Sequence, residues 1–493
     1  MHLSPFFRIP TTATPPLHRS DPSMPTHRVA PPRTTLTRIV LLGLAGIAAT
    51  LIPLAPSAHA APTIERFTTP GGTEVIHAPM EGADYSTIIL FWPNDAVFAD
   101  PATSGLLTLG TRLPLMEAGG RSFEEVSEEL NDAREGVSLS NSLSGTALFL
   151  SAEADDDAPF AEAAPAARAA LSEPTLDPDD LSELQDEIVD NLAATERDPA
   201  IMAERAVGAF IGGSDPRLSA ITNRPVEVVT DVTADDVRTF LDAAIHASPI
   251  VVAAGVAGED AIAGAVDAIL ADLPPAPDTV SMPEPIPYER AGQTLVVNAP
   301  EAEVTIVTVP LVLPLPGQEA GAAIGALADG DGSRLFTLLR EELGATYGVE
   351  LRTVPLLADA QLLSFVAAVP PERAGEVAEL IRGAIGDVRT NGITADELEA
   401  VREQSLVAIE QRDADPGTVA GALLDGIVRS GEGGVTVLND FDRTLASMTV
   451  DNVNAALATQ LPHAATTVIV TPEPDAVEAD CTVDTPEDAA NCP

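Results

Sequence analysis

The sequence contains no lysine and only two cysteines among its 493 residues. All 26 basic residues are arginine, against 75 acidic residues, and the formal net charge is −49. The absence of lysine excludes Schiff-base catalysis, and two cysteines are too few for a structural metal cluster. A chain of this charge also repels nucleic acid and anionic membranes, because both are bound through basic side chains that neutralise phosphate.

The two cysteines, Cys481 and Cys492, lie in an acidic C-terminal tail, residues 474–493. In an exported protein such a pair forms a disulfide that closes a short loop. We therefore predict a Cys481–Cys492 disulfide and no thiol catalysis. Because the tail follows the last repeated segment, we expect that replacing both cysteines changes stability little.

The excess of acidic side chains has two explanations, and the composition is compatible with both. One is a saline habitat, where dissolved salt screens the repulsion between like charges. The other is compositional bias in a genome rich in alanine and arginine codons. The two differ in what they predict for stability at high salt.

Only one long apolar run is present, Ile39–Leu54, and it is short for a membrane span. Arg33 and Arg38 precede it, and a small-x-small cleavage pattern, Ala58-His59-Ala60, follows. Residues 1–60 are therefore predicted to be a secretory signal peptide, and Met24 is an alternative start. The mature protein is expected to be periplasmic or secreted.

The rest of the chain contains one pattern twice, at residues 61–272 and 293–473, with a proline-rich linker at 273–292. LDPDDLSELQDEIVDNLAATERDP (176–199) corresponds without gaps to ITADELEAVREQSLVAIEQRDADP (393–416). A period of roughly 200 residues indicates duplicated domains rather than a solenoid. Each copy mixes strand patterns with amphipathic helices, which predicts an α+β fold with helices packed on mostly antiparallel sheets.

One stretch in the second copy, Asp329–Glu350, reads DGDGSRLFTLLREELGATYGVE. Ser333 is placed to cap a helix, and Gly344 is placed to end it. A strand pattern follows from Tyr347. The apolar residues between the two helix ends recur at helical spacing, which predicts one buried face: Leu335, Leu338, Leu339 and Leu343.

This stretch resembles the signature S-R-L-x-x-x-L-R-E-x-x-G-x-x-Y of the insulinase/pitrilysin-like zinc metallopeptidases. The matching residues are Ser333, Arg334, Leu335, Leu339, Arg340, Glu341, Gly344 and Tyr347. The resemblance implies two consecutive α/β-roll domains that form half of a closed chamber. It also implies that Arg340 and Tyr347 bind the carbonyl of the scissile peptide, across the chamber from zinc. From the residues alone, the simpler interpretation is that Arg340 is a solvated helix charge and Tyr347 an ordinary strand residue.

The zinc motif of that family, H-x-x-E-H, is missing from the first copy. Its positions fall on Gly110, Leu113 and Pro114, none of which binds zinc. The distal glutamate of the family corresponds to Asp190 or Asn191, in a helical stretch that includes Glu183 and Glu187.

The histidines after the leader are scattered and form no ligand pattern: His77, His246 and His463. A calcium loop at Asp329–Gly332 is excluded because Arg340 stands where its closing carboxylate belongs. No cofactor is therefore expected on this chain, and the resemblance places zinc in a partner subunit.

Two functions fit these observations. The first is a peptidase-inactive subunit of a heterodimer, which supplies Arg340 and Tyr347 to a peptide substrate opposite the zinc of a sister chain. The second is a structural or binding protein with the chamber fold and no role in proteolysis, as in core subunits of respiratory complexes. In both cases the chain alone is expected to cleave no peptide.

Overall fold

A computed structural model describes most of the chain after the predicted leader. The described residues are 62–94, 105–116, 136–154, 158–161, 163–213, 226–276, 292–314, 327, 333–342, 349–357, 360–436, 443 and 445–493. The predicted signal peptide lies outside them. Across these ranges the chain forms two six-stranded sheets with helices packed against them.

The first sheet is built from the first copy, and its strand order is β1-β2-β6-β3-β5-β4. All neighbouring strands are antiparallel except β2 and β6, which are parallel. The strands are β1 Glu65–Thr68, β2 Glu74–Pro79, β3 Tyr85–Pro93, β4 Gly136–Ser142, β5 Gly145–Glu153 and β6 Ile250–Gly255.

The second sheet has the order β12-β7-β11-β8-β10-β9. Here β7 is parallel to both β11 and β12, and the other pairs are antiparallel. The strands are β7 Thr294–Asn298, β8 Thr305–Pro314, β9 Glu350–Leu357, β10 Ala360–Val369, β11 Thr467–Thr471 and β12 Cys481–Val483. The predicted fold class, helices on mostly antiparallel sheets, is confirmed.

Helices of the first copy begin at polar caps. Asp198 accepts hydrogen bonds from the backbone N–H groups of Ala200 and Ile201, and Thr233 forms a reciprocal capping box with Asp236. The helices are α1 Leu106–Arg112, α2 Ala163–Ser172, α3 Pro178–Thr195, α4 Pro199–Gly212, α5 Val226–Thr230, α6 Ala234–Ala244 and α7 Glu259–Leu270.

Helices of the second copy begin in the same way. Thr394 forms a capping box with Glu397, and Thr449, the sequence counterpart of Thr233, forms one with Asn452. The helices are α8 Arg334–Phe336, α9 Ala374–Asn391, α10 Ala395–Ala414, α11 Pro416–Ser430 and α12 Val450–Gln460. None of the helices that the structure describes is long and apolar enough to cross a membrane.

Each copy packs one helix against the sheet of the other copy. Helix α11 of the second copy covers β3 and β6 of the first sheet, where Leu423 and Leu424 pack against Ile89, Phe91 and Val252. Helix α4 of the first copy packs in turn on β7, β8 and β11 of the second sheet. This exchange makes the hydrophobic interior continuous between the two copies.

A buried tyrosine fixes the start of α11 on the first sheet. The Tyr85 hydroxyl donates to Asp415 Oδ2 at 2.8 Å and accepts a hydrogen bond from the backbone N–H of Gly417 at 3.0 Å. Asp415 is also the N-cap of α11, because its side chain accepts from the Thr418 backbone N–H. One carboxylate therefore both caps the helix and ties it to the other copy.

Candidate functional site

The motif of the second copy begins as the sequence predicts. The Ser333 hydroxyl oxygen accepts a hydrogen bond from the Phe336 backbone N–H at 3.4 Å and caps the helix. Leu335 and Leu339 are fully buried in the core of the second copy, and Leu338 is partly buried against it. Leu343, the fourth predicted core residue, lies outside the described residues.

The helix differs from a regular α-helix in one respect. Only Arg334–Phe336 are α-helical, and Thr337–Glu342 continue as a π-helix. A π-helix is wider than an α-helix, changes the direction of its side chains, and occurs frequently at functional sites. The backbone of Arg340 lies in this π-helical segment.

Arg334 ties the start of this helix to the rest of the second copy. Its guanidinium binds both carboxylate oxygens of Glu397, one of them at 2.8 Å, and Asp387 Oδ2 at 2.7 Å. It also donates to the Gly392 carbonyl at 2.9 Å. These partners come from the end of α9, the α9–α10 connection and the first turn of α10. We call the four residues Arg334, Asp387, Gly392 and Glu397 the arginine anchor.

The anchor keeps both of its main partners charged. The hydrogen bond to Glu397 raises the pKa of Arg334, against a smaller lowering by burial. Burial raises the pKa of Glu397, but hydrogen bonds from Arg334 and Thr394 outweigh it, so that this pKa is lowered. Glu397 therefore holds Arg334 and closes the capping box of α10 at the same time.

The predicted substrate-binding residues themselves stay predictions. Tyr347 lies outside the described residues, as does the loop at Asp329–Gly332, and only the backbone of Arg340 is described. The strand predicted after the turn is present as β9, with Val349 and Leu351 partly buried against the core.

Arg352 on β9 is a further arginine that the motif does not contain. It binds both oxygens of Glu350 at 3.0 and 3.1 Å and reaches Glu204 of helix α4 at 3.5 Å. Its pKa is raised, chiefly by the hydrogen bond to Glu350. The sequence showed only a strand position here, because the partner on α4 is known only once the two copies are packed.

The positions of the missing zinc motif are filled by the hydrophobic core. Gly110, Leu113 and Pro114 are all buried, at the end of α1 and in the 3₁₀ turn that follows it. A Cβ atom added at Gly110 would lie 2.9 Å from the ring of Phe240, so no side chain fits there without a shift. These residues offer no donor atom, and the site does not fit zinc.

An ion pair joins the two helices on which the resemblance places the zinc ligands. The Arg112 guanidinium of α1 binds Glu187 Oε1 at 3.1 Å and Oε2 at 2.9 Å, on α3. Asp190 and Asn191, the counterparts of the distal glutamate, lie on the same helix. A cation of the protein itself thus connects the two helices, a contact that no local pattern in the sequence predicts.

The three histidines lie in separate environments. His77 is 3 % exposed on β2, and burial lowers its pKa against a smaller raising effect of Glu65. His246 accepts a hydrogen bond from the Ser248 backbone N–H, and His463 contacts Arg389. Within the described ranges, no group of three or more His, Cys, Asp or Glu side chains is arranged to hold a metal ion.

Comparison with known families gives one match. Residues 231–405 match the family model of the peptidase M16 inactive domain. No curated protein sequence shows significant similarity to the chain.

Solved structures match over most of the chain. A peptidase M16 inactive domain from Pseudomonas fluorescens superposes with a TM-score of 0.71 at 16% identity, covering 83% of this chain and 98% of that one. The periplasmic protease PqqL from Escherichia coli gives 0.66 at 17% identity, covering 88% of this chain but 49% of that one. A chain of Complex III2 from Candida albicans superposes with a TM-score of 0.66 at 14% identity, covering 85% of this chain and 98% of that one.

At these identities the solved structures show the fold, and the match of residues 231–405 shows the relationship in sequence. The interpretation of the S-R-L motif as that of an insulinase-like protein agrees with both. Residues 231–405 thus relate to the peptidase M16 inactive domain in sequence, most of the chain shares the fold of the solved M16 structures, and the first copy lacks the H-x-x-E-H zinc motif.

Proposed function

We propose that this chain is the non-catalytic subunit of an exported zinc metallopeptidase. Arg340 and Tyr347 bind the peptide substrate, and a sister chain supplies zinc and the activated water. The observation that carries the proposal is the arginine anchor. It fixes the backbone that bears Arg340, while the zinc positions of the first copy have become apolar core.

The division of labour is chemically reasonable. A guanidinium presents a planar fork of donors, and a phenol presents one more, so the pair matches a carbonyl oxygen on which negative charge develops. Such groups act by position and charge, and they do not need to lie on the chain that holds the metal. The cleavage itself belongs to the sister chain, and the peptide lies between the two subunits.

The anchor supports this role through its geometry. Three hydrogen-bonding partners, one on α9, one on α10 and one in the connection between them, hold Arg334, six residues before Arg340, and Ser333 caps the same helix. A helix that only filled the core needs its buried leucines but no such polar anchor. Holding a functional side chain within a fraction of an ångström requires support of this kind.

The test is made on the complex, with the sister chain recovered from the native cells together with the tagged protein. Turnover of a mixture of quenched fluorescent peptides is measured for Tyr347→Phe, Arg340→Ala and Arg340→Lys. We expect losses on the order of a hundred- to a thousand-fold for Tyr347→Phe and at least as much for Arg340→Ala. Arg340→Lys should recover little, because a point charge lacks the planar fork.

The matched control is Arg197→Lys, which changes an exposed arginine paired with Glu301. It should leave turnover unchanged, and all variants should co-elute with the sister chain. If the Arg340 and Tyr347 variants stay within about twofold of the wild type, against the losses stated above, the proposal is wrong.

A second function is favoured by one observation. A chain of Complex III2 has the same fold over 85% of this chain, so the fold also occurs in a large assembly. In that case the protein is a structural or binding subunit, and the polar variants change neither turnover nor assembly. Recovery of a sister chain that carries H-x-x-E-H decides between the two functions.

A further inference from the structure

The C-terminal tail is part of the second sheet and not a separate appendage. Strand β12 pairs in parallel with β7, and its Cys481, Thr482 and Val483 lie opposite Leu295, Val296 and Val297. Asp480 extends the pairing, because its backbone N–H donates to the Thr294 carbonyl and its carboxylate accepts from the Thr294 N–H, at 2.9 and 2.8 Å. We call residues 474–493 the C-terminal clasp.

The clasp occupies the position that β1 occupies in the first sheet. In the first sheet the edge strand next to β2 is β1, which precedes β2 in a hairpin. In the second sheet the edge strand next to β7, the counterpart of β2, is β12, which arrives from the far end of the chain. Every other strand has its counterpart from the same copy. The second copy therefore receives its edge strand from the C-terminus.

The clasp also contacts the first copy. Its last turn, Pro486–Asn491, packs on helix α4, with Ala489 fully buried. Glu487 forms an ion pair with Arg205 of that helix. Because α4 itself lies on the second sheet, the clasp covers the edge of the sheet and the helix that the other copy supplies.

The Cys481–Cys492 disulfide connects these two contacts. Cys481 begins β12, and Cys492 follows the turn on α4, with the two Cα atoms 6.0 Å apart. The other contacts are a three-residue strand, the packing of the last turn on α4, and hydrogen bonds from exposed side chains such as Asn298 to Asp484 at 3.0 Å. Exposed pairs of this kind contribute little, whereas closing a loop of this length disfavours the open clasp on the order of a hundredfold.

We propose that the disulfide makes the clasp a redox-controlled closure between the two copies. When it is formed, β12 stays on the edge of β7 and the last turn stays on α4. A dithiol such as dithiothreitol donates two electrons and two protons, which converts Cys481 and Cys492 to thiols and the dithiol to its cyclic disulfide. The reduced clasp opens, and the edge of β7 and one side of α4 become accessible.

The test is hydrogen–deuterium exchange of the full chain before and after treatment with dithiothreitol. We expect exchange to rise at least tenfold in the clasp, in β7 and in α4. Strand β2 is the internal control, because β1 covers its edge and contains no cysteine, and its exchange should stay the same. The double variant Cys481→Ser, Cys492→Ser should show the reduced pattern without dithiothreitol and no response to it.

Two results would overturn the proposal. Equal exchange of β7 and α4 in both redox states would show that non-covalent contacts alone hold the clasp. An equal rise in β2 would show that the disulfide only sets the global stability and that nothing opens locally. If the double variant fails to fold, the wild-type chain, folded first and then reduced, gives the same comparison.

Discussion

At the scale of single residues, both copies use an arginine to connect their helices. In the first copy the positions of the zinc motif are apolar, and Arg112 and Glu187 connect the neighbouring helices. In the second copy Arg334 is held by two carboxylates and a carbonyl. In both places a guanidinium fixes the relation between helices.

The buried histidine on β2 gives a pH prediction. Burial lowers the pKa of His77 in the folded state, so the ring stays neutral there while the unfolded chain takes up a proton near the ordinary value of 6.5. The stability that His77 contributes is complete above that value and is lost as the pH falls below it. The slope is at most about 1.4 kcal/mol per pH unit for one proton.

The measurement is the free energy of unfolding by urea at several pH values for the wild type and His77→Leu. Because many carboxylates also titrate, the difference between the two proteins is the quantity of interest. The wild type should lose stability relative to the variant below about pH 6.5, since leucine takes up no proton. Parallel pH curves for the two proteins contradict the prediction.

At the scale of elements, the motif helix shows what periodicity predicts and what it misses. The Ser333 cap and the burial of Leu335 and Leu339 follow from the sequence, because a cap and a spacing of four are local properties. The π-helix from Thr337 does not follow from the sequence, because apolar residues spaced three and four apart fit an α-helix and a π-helix alike. The partners of Arg334 lie more than fifty residues away, beyond any local pattern.

A matched pair of leucines on this helix tests how it is packed. Leu339 is fully buried and Leu338 only partly, in the same turn. We expect Leu339→Ala to lower the free energy of unfolding by about 2–5 kcal/mol, because it leaves a cavity, and Leu338→Ala to cost clearly less. Urea unfolding of the two variants measures the difference. Equal losses in stability for the two variants would contradict the orientation of the helix, in which Leu339 faces the core and Leu338 lies at its edge.

Helix α4 and strand β12 show why the contacts between the two copies could not be predicted from the sequence. Helix α4 is buried along an unbroken run from Ala206 to Gly212, because it packs between the second sheet and the C-terminal clasp. An apolar helix of this kind indicates burial but not the sheet that buries it. Strand β12 has only three residues within an acidic segment, too few for a strand pattern. The expectation that replacing both cysteines changes stability little stays a prediction, but its reason, a tail outside the repeated domains, is corrected, because the tail forms an edge strand of the second sheet.

At the scale of the whole molecule, the acidic composition determines how the protein responds to salt. The formal net charge of −49 is spread over a chain without lysine, and the described arginines commonly pair with a nearby carboxylate, as Arg66 does with Glu74. Carboxylates remain in large excess and repel one another. The exposed pairs themselves contribute little, so the net repulsion dominates the surface.

We therefore expect the midpoint of thermal unfolding to rise between about 0.1 and 1 M sodium chloride, since the screening length falls from about 10 to 3 Å over this range. Sucrose, which is uncharged, is the control for general stabilisation by cosolutes. A rise with salt that exceeds the effect of sucrose supports the saline habitat. Equal stability at both salt concentrations leaves compositional bias as the explanation.

The contact between Tyr85 and Asp415 has a consequence for synthesis. The two residues are 330 positions apart, and α11 covers the inner face of the first sheet. While the chain grows from its N-terminus, Ile89, Phe91 and Val252 are made long before the helix that buries them. Proteins that bury such a surface late depend on chaperones in the interval, because exposed strands of apolar residues aggregate. The nascent chain of this protein must be shielded until almost all of it has emerged.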